Sequence, residues 1–262
     1  MTNAAGLLQA YDEQLRTDAE TLDALAVTSH GPLRLATFEG GRGFVTYRDL
    51  GGMGAAAITR LVSEVLRFYR DDRTIRRVEW KTRGHDRAPG LHEALVGNGF
   101  EPGEAESIMV GPATALAVDV PLPAGVTLRR VTAAPDVRAM CAMQDEAFGD
   151  EVSDRMAEAL VRRLALDDGL ELWVAEADGR IVGAGRLEPV EGTDFAGIWG
   201  GATLQPWRGR GIYRALTAAR ARSAIIAGKA FVQSDSTEYS RPILERAGLV
   251  KVSTTTPYQW RR

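Results

Sequence analysis

Arg208, Arg210 and Arg214 are spaced through a turn that also holds Gly209 and Gly211, and the turn opens into an apolar, alanine-rich segment. That combination can bind an anion. Glycines let a backbone approach a ligand and take positive φ, and the first turn of a helix leaves unpaired N–H groups at its positive end. The arginines would add charge-assisted hydrogen bonds to a phosphate or pyrophosphate. Two familiar phosphate loops do not fit. No Gly-Lys-Ser/Thr follows, and Arg214 stands where the dinucleotide fingerprint needs its third glycine. A plain surface turn with solvated arginines is the remaining alternative.

The neighbouring elements place this turn between a strand and a helix. Phe195 to Leu204 is an apolar run with three glycines that reads as a strand stopped by Pro206, and Leu216, Ala219, Ser223 and Ile226 give one helical face after the turn. Downstream, Ala230 to Asp235 reads as a strand, Ser240 to Ala247 as a short helix, and Gly248 to Ser253 as a helix stop leading into another strand. Upstream, Val126 to Val131 reads as a strand, with helices at Pro135 to Phe148 and Ser153 to Leu166, Ser153 serving as N-cap. Leu170 to Ala177 and Arg180 to Leu187 form a hairpin around Asp178-Gly179. Asp145, Glu146, Asp150, Glu151 and Asp154 gather near the two helices. They are either ordinary capping and solvated acids or an attractor for a cationic amine.

On two motifs this C-terminal half resembles the GNAT superfamily of acyl-CoA-dependent N-acetyltransferases. Arg208-Gly-Arg-Gly211 matches the first four positions of that family's Arg/Gln-x-x-Gly-x-Gly/Ala loop, with Tyr213 where Gly or Ala is usual. Ile243-Leu-Glu-Arg-Ala-Gly-Leu249 is similar to its second landmark, with Leu244 at the tyrosine position. The resemblance implies a mixed α/β fold and direct acyl transfer from acetyl-CoA to a primary amine of a small molecule or peptide. It assigns coenzyme A binding to Arg208, Gly209, Arg210, Gly211, Ile212, Tyr213 and Arg214, and polarisation of the thioester oxygen to the N–H groups of Ala202, Thr203 and Leu204.

An amine of pKa ~10.4 must lose a proton before it attacks. Glu188 and Asp235, each at the end of a strand, are the candidate bases, with Asp194 behind them. Leu244 cannot protonate a departing thiolate, so Tyr239 and Ser240 are the candidate substitutes. The same residues also suit a non-catalytic acyl-CoA-binding sensor or assembly protein.

The remaining 120 residues carry mixed α/β order. At 262 residues the chain accommodates two domains of ~130 each, and Val118 to Gly125, with two prolines and a glycine, forms the seam. The expected domains are 1–120 and 121–262. Before the seam, the patterning predicts a helix over Leu7–Leu25, strands at Pro32–Phe38 and Gly43–Tyr47, and a helix at Met53–Tyr69. It continues with a strand at Arg77–Lys81, a helix at Leu91–Val96 and a strand at Ser107–Val110. Leu95-Val-Gly-Asn-Gly99-Phe100 parallels Leu244 to Leu249, which favours a degenerate GNAT-like copy. This copy lacks the Arg-Gly-x-Gly loop, so no second acetyl-CoA is expected there, and its role would be structural or to wall the acceptor pocket.

A formal charge of −3 without a dominant basic block gives no reason to expect nucleic acid as a partner. Cys141 is the single cysteine, and His30, His85 and His92 are the only histidines; a metal site is not expected, although His85 and His92 have the spacing to share a helical face. Met1 to Asp12 lacks the features of a secretory leader, and no run of ~18 apolar residues suggests a membrane span. The cytoplasm is the expected compartment. Acceptor identity and oligomeric state stay open.

Overall fold

Asn3 caps the first helix, α1 (Ala4–Gln14), by accepting the Gly6 N–H at 2.8 Å. The computed structural model describes residues 3–22 and 24–262; Met1, Thr2 and Asp23, which fall within the leader reading and the predicted Leu7–Leu25 helix, lie outside the described residues. That helix is shorter than its pattern. The Thr17 hydroxyl donates to Gln14 O and accepts from Ala19 N–H, so a threonine competes with the helical ladder and a 3₁₀ turn at Asp18–Thr21 follows.

In the first unit, β1 (Ala26–His30), β2 (Leu33–Phe38) and β3 (Arg42–Tyr47) form an antiparallel series. The chain then crosses through α2 (Ala55–Asp71) to β4 (Arg77–Arg83), which pairs parallel with β3. Helix α2 buries Ile58, Leu61, Val62, Val65, Leu66 and Tyr69 on one face, as its 3.6-residue spacing requires. The Tyr69 ring rests where a Cβ on Gly43 would lie only 2.6 Å away, and its hydroxyl donates to Ala36 O and Phe44 O. After α3 (Leu91–Gly97) and the short β5 (Glu101–Pro102) comes β6 (Glu106–Pro112), within which the division into units falls, between Ile108 and Met109.

The second unit starts with α4 (Ala113–Leu116) and continues through β7 (Val126–Val131), α5 (Ala134–Phe148) and α6 (Asp154–Leu164). Ser153 caps α6 as expected, accepting from Arg155 N–H. The β8 (Glu171–Ala177) to β9 (Arg180–Pro189) hairpin turns on Asp178 (φ 48°) and Gly179 (φ 74°), the two positive φ angles of a type I′ turn. Next come β10 (Phe195–Thr203), α7 (Ile212–Ile226), β11 (Phe231–Ser236) and α8 (Arg241–Arg246). Strands β7, β8, β9 and β10 pair antiparallel in sequence order, and β11 adds to β10 in parallel.

Close approach of α7 to this sheet explains glycines that a strand pattern leaves unexplained. A Cβ on Gly183 would sit 2.9 Å from Ile212, one on Gly185 2.5 Å from Arg220, and one on Gly201 2.7 Å from Tyr213. The helical face expected from Leu216, Ala219, Ser223 and Ile226 is partly displaced. Ile226 is exposed, while Ala215, Thr217, Ala218, Arg220, Ala221 and Ala224 are buried beside Leu216 and Ala219.

The last strand, β12 (Val250–Arg261), counts with the first unit from Lys251 onward and pairs antiparallel with β4 over Thr255↔Arg83 to Arg261↔Arg77. Its Tyr258 and Trp260 belong to the core built around Trp80, Phe100 and the buried face of α2.

Candidate functional site

β10 falls out of step with its neighbour before it reaches the arginine loop. Its pairing with β9 runs to Trp199↔Arg186 and resumes at Ala202↔Ala184, so Gly200 and Gly201 together oppose Gly185 in a β-bulge. Gly200 takes φ 58°, and its carbonyl accepts from Gln144 Nε2 of α5 at 2.5 Å. The parallel pairing with β11 ends at Gly197↔Gln233.

Leu204 gives its N–H to Val182 O at 3.0 Å. Because N–H groups alternate sides along a regular strand, and Ala202↔Ala184 and Thr203↔Gly183 are in register beyond the bulge, Ala202 also points toward β9, whereas Thr203 points away. This corrects the sequence assignment: of Ala202, Thr203 and Leu204, only the Thr203 amide turns away from β9. The Thr203 hydroxyl is buried without a hydrogen-bond partner.

A single 3₁₀ turn, Gln205–Trp207, leads from Leu204 into the loop. Gly209 (φ 75°) and Gly211 (φ 85°) both adopt the left-handed conformation that side chains resist. Nothing lies within 4 Å of where a Gly209 Cβ would be, so that face of the loop is open. The first helical bond of α7 runs from Ala215 N–H to Gly211 O at 2.9 Å, leaving the N–H groups of Ile212, Tyr213 and Arg214 outside the helix's own ladder. These features fit a pyrophosphate.

The arginines divide their work. Arg208 is occupied by the protein, donating from Nε to Thr203 O (3.0 Å) and from Nη2 to Ala147 O (2.9 Å), which ties the loop to the ends of β10 and α5. Arg210 lies over the Trp207 ring at 5.1 Å. Arg214 borders a cleft of about 180 Å³ that Leu116, Val118, Val120, Thr217 and Leu244 also line. Tyr213 turns inward against Gly201, and its hydroxyl is hydrogen-bonded to Ser240. Burial raises the Tyr213 pKa, opposed by the Arg220 charge and by that hydrogen bond.

The candidate proton-transfer groups are scattered in their engagements. Glu188 is held between two guanidinium groups, Arg163 Nη1 at 2.6 Å and Arg186 Nε at 2.5 Å. Asp235 belongs to the first unit, where Lys81 Nζ approaches to 2.7 Å. Tyr239 is 90 % exposed and also counts with the first unit. Of the four, only Ser240 is shown beside a residue of the loop, Tyr213. Asp194 uses its carbonyl to accept the Phe231 N–H.

His85 and His92 share no helix. His85 lies beyond the end of β4 beside Asp12 and Ser253, while His92 is on α3 with its Nδ1 2.8 Å from the Tyr258 hydroxyl. Among the described residues no group of three or more His, Cys, Asp or Glu is placed to hold a metal ion, and no helix is long and apolar enough to cross a membrane.

Residues 137–248, which span the bulge, the loop and α8, match the sequence profile of the acetyltransferase (GNAT) family. This stretch belongs to the GNAT family. Its fold extends further along the chain. A GCN5-related N-acetyltransferase from Kribbella flavida is similar over 98 % of this chain and 93 % of its own, with a TM-score of 0.67 at 16 % identity. A functionally unknown conserved protein from Staphylococcus epidermidis covers 94 % and 98 %, with a TM-score of 0.68 at 14 % identity. A tandem GNAT protein from the clavulanic acid biosynthesis pathway covers 87 % and 78 %, with a TM-score of 0.58 at 16 % identity. At these identities the likeness is one of fold. No curated protein matches the sequence.

Within this GNAT domain, Leu244 is fully buried in the core formed with Met109, Ile198 and Val232. Sequence reasoning missed Gly201, Gln144 and Arg220. The one available signal was Arg220 itself, a charge four residues after Leu216 on the face that α7 buries.

Proposed function

We propose that the second unit binds acetyl-CoA at the Arg208–Arg214 loop and transfers its acetyl group to a primary amine of a small molecule or peptide. The observation that carries this reading is the pair of left-handed glycines opening α7. Gly209, Gly211 and the free N–H groups of Ile212, Tyr213 and Arg214 would hold the pyrophosphate, helped by Arg210 and Arg214. The outward N–H of Thr203, and that of Gly201 where the bulge turns it from β9, would then lie along the thioester arm. In the reaction, the amine nitrogen bonds to the acyl carbon as the carbon–sulfur bond breaks. The amine's proton passes to a base, and the sulfur leaves as thiolate and is protonated. Such amides are worth most where negative charge grows on the acyl oxygen.

In this reading residues 121–262 form the GNAT domain and residues 1–120 a degenerate copy. Fold likeness over nearly the whole chain and to a tandem GNAT protein supports a two-domain arrangement, while by contacts the units divide between Ile108 and Met109 and Lys251 onward counts with the first. The reaction would take place in the cytoplasm and need no metal. A specific observation favours the second reading, acyl-CoA binding without turnover: Leu244 is core and Glu188 is engaged by two arginines.

Calorimetry with acetyl-CoA tests the binding. The wild type is expected to saturate and Gly211→Glu to abolish binding, because a carboxylate and a side chain would enter the cradle; equal affinity in the two proteins removes the loop assignment. Thiol release over a panel of amines then separates turnover from binding alone.

A further inference from the structure

Arg220 is 1 % exposed. Among the described residues its guanidinium forms no ion pair with a carboxylate; burial brings its pKa down to about 10, with the Tyr213 hydroxyl opposing the fall and the Arg186 charge adding to it. An arginine so placed is costly to bury.

Its Nε donates to Leu216 O at 3.1 Å and its Nη2 to Thr217 Oγ1 at 3.2 Å, both on its own helix. Its Nη1 reaches across to Arg186 O at 3.3 Å and Trp199 O at 3.4 Å. These two carbonyls belong to the last residue pair before the β9–β10 register shifts. Gly185, the single residue opposite the bulge, leaves the guanidinium its space, since a Cβ there would stand 2.5 Å from Nη1. Gly200, the first residue of the bulge, is gripped separately by Gln144.

We propose that Arg220 is a positioning residue for acyl transfer: by anchoring Arg186 O and Trp199 O it holds the Gly200–Gly201 bulge open, which keeps the Gly201 N–H turned from β9 toward the acyl oxygen. Its uncompensated charge, close beneath the bulge, adds to the pull on a developing oxyanion. The inference rests on the acetyl-CoA reading given above.

The test uses the full chain and two probes, coenzyme A and [1-¹³C]acetyl-CoA. Coenzyme A has no acyl oxygen, so its affinity reports the loop; the bound ¹³C carbonyl shift reports polarisation and needs no acceptor. In the wild type the carbonyl resonance should move downfield on binding. Arg220→Met and Gly185→Ala should lose at least half of that displacement and at least tenfold in thiol release, with coenzyme A affinity within twofold of wild type. Arg220→Lys should recover part of the displacement. Gly185→Ala keeps the charge and moves only the end of a flexible side chain, so it serves if Arg220→Met fails to fold. A full carbonyl displacement in folded Arg220→Met or Gly185→Ala overturns the proposal. Failure of the wild type to bind coenzyme A at all overturns the acetyl-CoA reading instead.

Discussion

The ring of Tyr213 fills the space above Gly201, where a Cβ would lie 2.7 Å from its Cε2. A backbone amide assigned to the acyl oxygen and a side chain that departs from the family's small residue therefore depend on each other. Gly201→Ala must displace the ring or the strand, and overpacking of this kind costs about 1–3 kcal/mol. The cost should appear in denaturant unfolding. In the double variant Gly201→Ala, Tyr213→Ala the methyl meets empty space, so most of the Gly201→Ala penalty should vanish; strict additivity of the two changes would show that the contact carries no strain.

Arg208 and Arg214 belong to one motif in the sequence but should respond differently to mutation. Arg208 satisfies two backbone carbonyls, and each hydrogen bond from a charged donor is worth roughly 1–3 kcal/mol, discounted here by exposure. Arg208→Ala should lower the melting temperature and weaken acetyl-CoA binding together, because the loop loses its tether. Arg214 is exposed beside the cleft, so Arg214→Ala should weaken binding by several-fold and leave the melting temperature unchanged. A loss of binding in Arg208→Ala without any thermal shift would mean that its guanidinium turns to the ligand.

The difference between these arginines marks where sequence stopped being informative. Glycine turns, periodic helices and the Asp178-Gly179 hairpin are local, and they were legible because backbone conformation is dictated by a few adjacent residues. The Leu7–Leu25 helix failed on one local detail, the Thr17 hydroxyl competing for the backbone. Which amides face outward on β10 depends on a bulge shared with β9, and that depends on Gln144 and Arg220, 56 and 21 residues from the carbonyls they hold. Nothing local marks such partners. Likewise, Asp235 and Glu188 looked equivalent as strand-end carboxylates, while their ion pairs come from Lys81 in the one case and Arg163 and Arg186 in the other.

In the first unit, Arg16 donates to Asp86 Oδ1 at 2.8 Å with both side chains largely buried, and Nη2 donates to Tyr47 O at 2.8 Å. Removing one member of a buried pair strands the other and typically costs about 3–5 kcal/mol. Asp86→Ala should therefore destabilise the protein by about that amount, softened by Asp12, which also contacts Arg16 at 3.2 Å. The double variant Arg16→Met, Asp86→Leu removes both charges and should be markedly less destabilised than Asp86→Ala. If it is equally destabilised, packing of the side chains and not charge pairing accounts for the loss.

Cys141 offers a pH dependence with a definite sign. It is 2 % exposed on α5, and burial, reinforced by the Asp145 charge, pushes its thiol pKa up to about 11. The thiolate is the nucleophile, so native protein at pH 8 should react with iodoacetamide roughly 200-fold more slowly than a free thiol of pKa ~8.5. The same shift couples to folding. Below about pH 8.5 both states keep the proton and the contribution to stability is full. As pH rises toward 11 the unfolded chain releases its proton while the folded protein retains it, so stability falls. Buried Tyr47 and Tyr69, whose pKa values are also raised by burial, push in the same direction at higher pH. The clean measurement is therefore the difference between wild type and Cys141→Ala in urea unfolding from pH 8 to pH 10. Wild type should lose stability faster over that interval. Parallel curves would show that the thiol titrates alike in the folded and unfolded states.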